Sequence, residues 1–293
     1  MGSLKKNICY WLAAAATIIW SITFVSTKLL LGHLSPTEIL FYRIIIAYLI
    51  FFAMYPRRIK FGTLREECVF AMAGVLGISL YFMCENFALL YGTASNVALL
   101  VSTAPMLTGV VAHFCTKNEK MTKTFAIGSL FCLMGAFLIV FNGHFILKLN
   151  PLGDLISLAA ALSFAFYSLI IRNINRDLSL IVITRKTFFY ALLSMLPLTL
   201  TQLIQWRPDA LFSWEVWANL LFLGAFASAF CTWAWSKVIW ALGAVRANNL
   251  IYLTPPLVMI NAAIILHERI TVFAVAGGLL TLMGVYISQK DKK

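Results

Sequence analysis

The chain reads as an all-α membrane protein, with ten transmembrane helices forming two inverted five-helix repeats around a central cavity. Three observations predict this. First, 61% of the 293 residues are hydrophobic and only 12% are charged, where average soluble domains carry about 25% charged residues. A water-soluble fold of this size cannot hide that much apolar surface. Second, Gly92, Pro105, Glu119, Thr122, Gly128 and Gly135 recur as Gly243, Pro256, Glu268, Thr271, Gly277 and Gly284. The offset is 151 residues for the first two and 149 for the rest. Leu130, Leu133 and Met134 match Leu279, Leu282 and Met283 in the same phase. A fixed offset near half the chain length means duplication, not a solenoid. Third, each copy holds five apolar spans. An odd number inserts the second copy upside down. The copies divide as 1–147 and 148–293.

A spanning helix needs roughly 20 apolar residues. The runs that qualify are 8–31, 37–55, 68–91, 94–115, 123–142, 152–171, 184–204, 217–237, 246–267 and 272–288. The first follows Lys5 and Lys6 like a signal peptide, but it is too long and no A-x-A-like site follows it, so it reads as a retained helix. The apolar stretch 68–115 would be about 70 Å long as one helix, more than twice the hydrocarbon thickness, so it must turn back. Tyr91-Gly92-Thr93 is the expected turn, and Trp240-Ala241-Leu242-Gly243 its counterpart. Pro105 and the pair Pro255–Pro256 fall in corresponding spans, four and nine, and predict kinks there. Gly128/Gly135 and Gly277/Gly284 put small residues on one face of spans five and ten. Those spans read as scaffold or as the face of a homodimer.

Lys and Arg counts set the orientation. Of 23 such residues, eighteen fall on the side of the N-terminus and four (Lys28, Lys148, Arg207, Arg269) on the other, with Arg43 inside a span. Both termini and the 56–67 loop are therefore expected in the cytoplasm. The net charge of +12 belongs to these loops and not to a nucleic-acid-binding face. Six cysteines lie in or beside apolar runs without a CxxC pair, which indicates neither zinc nor a disulfide framework. His33, His113, His144 and His267 show no ligand spacing. The absence of GxxxxGK[ST], HExxH and GxSxG motifs speaks against an ATP-driven motor or an enzyme, and no cofactor is implied. No regularly spaced Arg run resembles a voltage sensor.

An inverted repeat with corresponding interrupted helices is the architecture of many secondary transporters, with the site near the midplane. Ionisable groups inside spans are the first candidates for that site. Arg43 and Glu85 lie at matched depth, with Lys28 about one turn from the outer end of span one. An ion pair between Arg43 and Glu85 would lower the cost of both charges. At an offset of 144 Lys28 falls on Arg172, and at 143 Arg43 falls on Lys186. Glu85 has no acidic copy, since Ser236 stands in its place. Arg172, Arg176 and Arg185 read most simply as snorkelling into headgroups. Trp20, Phe24 and Lys28 share one helix face, as do Tyr81 and Glu85, and Asn248 and Tyr252; Asn96 and Asn249 add neutral amides. Such aromatic and amide residues also serve helix packing, and that alternative stays open.

Trp20-Ser21-Ile22-Thr23-Phe24, Arg43, Gly92-Thr93-Ala94-Ser95-Asn96, Pro105 and Glu119 precede Gly128 and Gly135. Leu242-Gly243-Ala244, Pro255-Pro256 and Glu268-Arg269-Ile270-Thr271 precede Gly277 and Gly284. In this order the motifs resemble the drug/metabolite transporter superfamily, specifically an EamA-type protein, over nearly the whole chain. The resemblance implies an exporting secondary carrier of a bacterial inner membrane, with a small-metabolite substrate such as an amino acid or organic acid. It also implies a cavity aromatic at Trp20, to which Phe164 corresponds in span six. The lining expected from the residues joins Trp20, Phe24, Tyr81 and Tyr252 to Asn96, Asn248 and Asn249, with Lys28 and Arg43 supplying positive charge. The alternatives are an exporter of lipophilic cations, coupled to protons through an unpaired Glu85, and a non-transport scaffold or lipid-handling protein.

Overall fold

The computed structural model describes residues 3–59, 61–116, 121–141, 150–174, 177–200, 206–265 and 271–290. Glu119 and Glu268 of the repeat, and the loop residues Lys117, Lys148, Arg176 and Arg269, lie outside them. The described residues form helices and no strand. They are α1 (Ser3–Leu30), α2 (Pro36–Met54), α3 (Leu64–Tyr91), α4 (Ala94–Val101 and Ala104–Cys115) and α5 (Lys123–Phe141). The second half contributes α6 (Pro151–Asn173), α7 (Leu180–Leu200), α8 (Trp214–Leu242), α9 (Ala244–Asn249, Leu250–Leu253 and Thr254–Ile265) and α10 (Val272–Gln289). Nine are long and apolar enough to cross a membrane among the described residues. The tenth, α9, is broken into short pieces.

Local chemistry accounts for most boundaries. Ser35 and Glu38 form a capping box at the start of α2, with Pro36 in the first turn, and Thr63 and Glu66 do the same for α3. Gly243 ends α8 at φ 92, a left-handed conformation in which a Cβ is strained. Gly92 turns with φ −125, which any residue adopts, so its expected conformational role is not needed. α8 runs past the expected end at 237 because Lys237 does not stop it; its ammonium lies 5.2 Å from the Trp233 ring.

Two kinds of irregularity recur in both halves. α4 is interrupted at Ser102–Thr103, two residues before Pro105, and α9 by a 3₁₀ turn, Leu250–Leu253, just before Pro255 and Pro256. Missing proline N–H groups and ring clashes explain both. Corresponding helices α3 and α8 each widen into a π-helical stretch, Val75–Leu80 and Phe222–Phe230. Such stretches often mark functional sites. Nothing in the sequence reading pointed to them.

α5 and α10 lie against each other and run antiparallel. A Cβ on Gly128 would sit 2.7 Å from the Gly284 carbonyl, and one on Gly135 would sit 2.5 Å from the Gly277 carbonyl; the reverse contacts are equally short. The glycine faces are therefore consumed within the chain and are not the face of a homodimer. Leu130, Met134, Leu279, Leu282 and Met283 point outward and exposed, an arrangement suited to lipid contact. The halves also interlock. Arg43 of α2 reaches Ser228 of α8, while Lys186 of α7 reaches Glu67 of α3. α1, α3, α4, α6, α8 and α9 are left to surround the centre.

Candidate functional site

The centre holds a cavity of about 720 Å³ of empty space, its mouth included. Trp20, Thr23 and Phe24 line it from α1, Gly77, Ile78, Tyr81, Phe82 and Glu85 from α3, and Ala98, Val101, Ser102 and Ala104 from α4. The second half contributes Phe164 and Tyr167 from α6, Thr232 and Trp235 from α8, and Ile251 and Thr254 from α9. The π stretch of α3 and the breaks in α4 and α9 all abut this space.

The wall is an aromatic belt. The Trp20 ring lies 4.9 Å from Trp235 and 6.2 Å, edge to face, from Phe164. Phe164 lies 5.2 Å from Tyr81 and 5.7 Å from Tyr167. Trp20 Nε1 donates to the Ala227 carbonyl at 3.1 Å. Its hydrogen bond is thus engaged by the protein, which fixes the ring and leaves its π face for contact.

Of the residues selected from the sequence, Trp20, Phe24, Tyr81 and Glu85 line the cavity. Lys28 does not. Its ammonium donates to the carbonyls of Leu89, at 2.5 Å, and Gly92, at 3.0 Å, at the end of α3. A cation there complements the helix dipole. Its counterpart Arg172 donates through Nη1 to the Trp240 carbonyl at 3.2 Å, near the end of α8. Arg185 is buried and donates to the carbonyls of Tyr55 and Arg57. Both arginines thus bond backbone carbonyls, where snorkelling into headgroups was expected.

Arg43 is fully buried but outside the lining. Its Nε donates to Ser228 Oγ at 2.5 Å and its guanidinium lies 3.6 Å from the centre of the Phe82 ring. The expected ion pair with Glu85 is not among those within 4.0 Å in the described residues. Ser228 and Phe82 take up the guanidinium instead, although the two charges remain in electrostatic range. Arg43 Nη1 and Nη2 and Glu85 Oε1 are buried without a hydrogen-bond partner among the described residues. The direct ion pair belongs to Lys186, whose Nζ lies 2.5 Å from Glu67 Oε1 while Tyr190 donates to Oε2 at 2.8 Å.

The amides and Tyr252 turn elsewhere. Asn248 accepts from Trp235 Nε1 at 3.1 Å and donates to Thr108 Oγ1 and Ser168 Oγ at 2.8 Å each. It thereby ties α9 to α8, α4 and α6. Asn249 donates to Ser288 Oγ of α10. Asn96 is buried in the first turn of α4, where its backbone N–H meets the Thr93 cap. Tyr252 is wholly buried toward Ser129 and Cys132 of α5. None of the four lines the cavity.

Thr23, Phe82, Tyr167, Thr232, Trp235 and Thr254 are lining residues that sequence reasoning passed over. The repeat held a signal for two of them. The 144-residue offset that carries Trp20 to Phe164 carries Thr23 to Tyr167, and the 151-residue offset carries Tyr81 to Thr232. Among the described residues the lining holds no Cys or His and one carboxylate. No group of His, Cys, Asp or Glu suited to a metal ion occurs among the described residues.

Known proteins agree with this architecture. The chain is 24% identical over 281 residues to an uncharacterized transporter of Archaeoglobus fulgidus, covering 94% of this chain and 96% of that one. It is 26% identical to the uncharacterized transporter YyaM of Bacillus subtilis, covering 96% and 93%. It is 24% identical to a Streptantibioticus cattleyicolor protein named "Probable terminal-alkyne amino-acid exporter", covering 97% and 94%. A solved crystal structure, 17% identical, shares the fold with a TM-score of 0.75 over 97% of both chains. The model of the EamA-like transporter family matches residues 7–141 and again 151–289, so the chain belongs to the EamA-like transporter family.

Proposed function

We propose that the chain is a secondary active transporter that exports a small metabolite by alternating access from a bacterial inner membrane, with both termini cytoplasmic. The observation that carries this reading is the cavity, walled by three helices of each half. Rocking one half against the other would expose it to either side in turn. An amino acid fits the lining better than a simple organic acid, because neither Lys28 nor Arg43 is among the lining residues. The named exporter among the relatives supports the same class. A second reading, a lipophilic cation coupled to a proton, is favoured by one observation: among the described residues Glu85 is the only charged one in the lining.

Proteoliposomes loaded with unlabelled leucine are expected to take up labelled leucine by counterflow without ATP. Trp20→Ala is expected to reduce the rate by about tenfold, since deleting a buried aromatic contact at the site is worth on the order of 1–2 kcal/mol. Counterflow limited to lipophilic cations, and lost in Glu85→Gln, would install the second reading.

Orientation has its own test. In a chain freed of native cysteines, Arg207→Cys is expected to react with an impermeant thiol reagent added to intact cells, and Lys60→Cys only after lysis. The opposite pattern would reverse the proposed topology.

A further inference from the structure

We infer that the cavity recognises a protonated amine, seated between Glu85 and the aromatic belt, and that a carboxylate on the substrate is not required. This rests on the transport reading for its physiological use, but it concerns binding alone.

Glu85 is 2% exposed, yet it lines the cavity. Its Oε1 has no hydrogen-bond partner among the described residues. A buried carboxylate oxygen left unsatisfied is costly, and this one borders empty space that a ligand can enter. Neither Arg43 nor Lys28 hydrogen-bonds it, although the Arg43 guanidinium stays within electrostatic range and keeps Nη1 and Nη2 unpartnered among the described residues. Arg43 bonds Ser228 and lies against Phe82, and Lys28 caps α3. The Tyr81 hydroxyl, one turn before Glu85, lies close enough to the carboxylate to donate to it, which leaves Oε1 as the open oxygen, and the Tyr81 ring borders the same space.

The rest of the wall favours the same sign of charge. The faces of Trp20, Tyr81, Phe164 and Trp235 carry negative quadrupole potential, which attracts an ammonium and repels an anion. Among the described residues no Lys, Arg or His lines the cavity. Besides Glu85 Oε1, one lining side-chain atom is buried and unpartnered among the described residues: the hydroxyl of Thr254, from the other half of the molecule. It can meet a second polar group of the ligand but offers no charge to hold a carboxylate. An amino acid would therefore be held by its amine and apolar side chain, with its carboxylate tolerated.

The test uses purified full-length protein and three compounds with one isobutyl group: 3-methylbutylamine, leucine and 4-methylpentanoate. Trp20 and Trp235 line the cavity, so tryptophan fluorescence reports occupancy, and ligand-induced thermal shift gives a second readout. The expected order is 3-methylbutylamine at least as tight as leucine, and 4-methylpentanoate weaker by about tenfold or more, equivalent to about 1.4 kcal/mol. Glu85→Gln is expected to weaken the amine about tenfold with unchanged unfolding temperature. If that variant fails to fold, Glu85→Asp and the ranking on the native protein still decide. A carboxylate that binds as tightly as the amine, an amine that does not bind, or amine binding that survives Glu85→Gln would each overturn the assignment. Amine binding without any counterflow would remove the transport reading and leave this one standing. Leucine counterflow indifferent to 3-methylbutylamine would do the reverse.

Discussion

Gly135→Ala is expected to destabilise the protein by about 1–3 kcal/mol or more, although alanine is the better helix former. The added methyl would lie 2.5 Å from the Gly277 carbonyl and 2.7 Å from the Thr281 N–H nitrogen. Both are backbone atoms, so no rotamer change relieves the overlap and the helices must part. Gly277→Ala is expected to do the same, since its Cβ would meet the Gly135 carbonyl and the Ile139 nitrogen at 2.5 and 2.9 Å. The control is the next residue. A Cβ on Gly278 meets nothing within 4 Å, so Gly278→Ala is expected to be neutral or to gain up to about 1 kcal/mol from helix propensity. Thermal unfolding of detergent-purified protein, followed by size exclusion, compares the three. Equal behaviour of Gly135→Ala and Gly278→Ala would mean that α5 and α10 are not in backbone contact.

Asn248→Leu is the second large effect, on the order of 3–5 kcal/mol, from three lost hydrogen bonds and an orphaned indole N–H. Thr108 and Ser168 keep partners in the Ala104 and Phe164 carbonyls, at 2.8 and 2.9 Å. Trp235 Nε1 has only Asn248 among its hydrogen-bond partners in the described residues. The cost therefore concentrates on one group, and Trp235→Phe in the Asn248→Leu background is expected to recover part of it. Trp235 also forms the cavity wall, so Asn248→Leu is expected to slow counterflow in the molecules that fold, although Asn248 does not touch the cavity. Strict additivity of the two substitutions would argue against the bond.

Much of the architecture was legible in the residues because it depends on local properties. Apolar run length marked the helices. Proline chemistry placed the breaks in α4 and α9, and the glycine spacing identified the faces that pack in α5 and α10. The duplication was visible as a fixed offset, and the family matches fall twice along the chain, at 7–141 and 151–289.

The composition and order of residues thus determined the membrane class, the helices and the repeat. Only the tertiary structure decided which polar side chains reach the cavity. Lys28 was drawn to the open carbonyls at the end of α3, Arg43 to Ser228 and Phe82, and Asn248 to three partners on other helices. The partner of the glycines was equally out of reach, since Gly135 meets Gly277 and not a second copy. The physical reason is that lipid and protein interior are almost equally apolar. A helix apolar on every side carries no mark of which face turns inward. That choice is made by contacts such as Trp20 with Trp235, between residues far apart in the chain, and by π turns that rotate α3 and α8 out of regular phase.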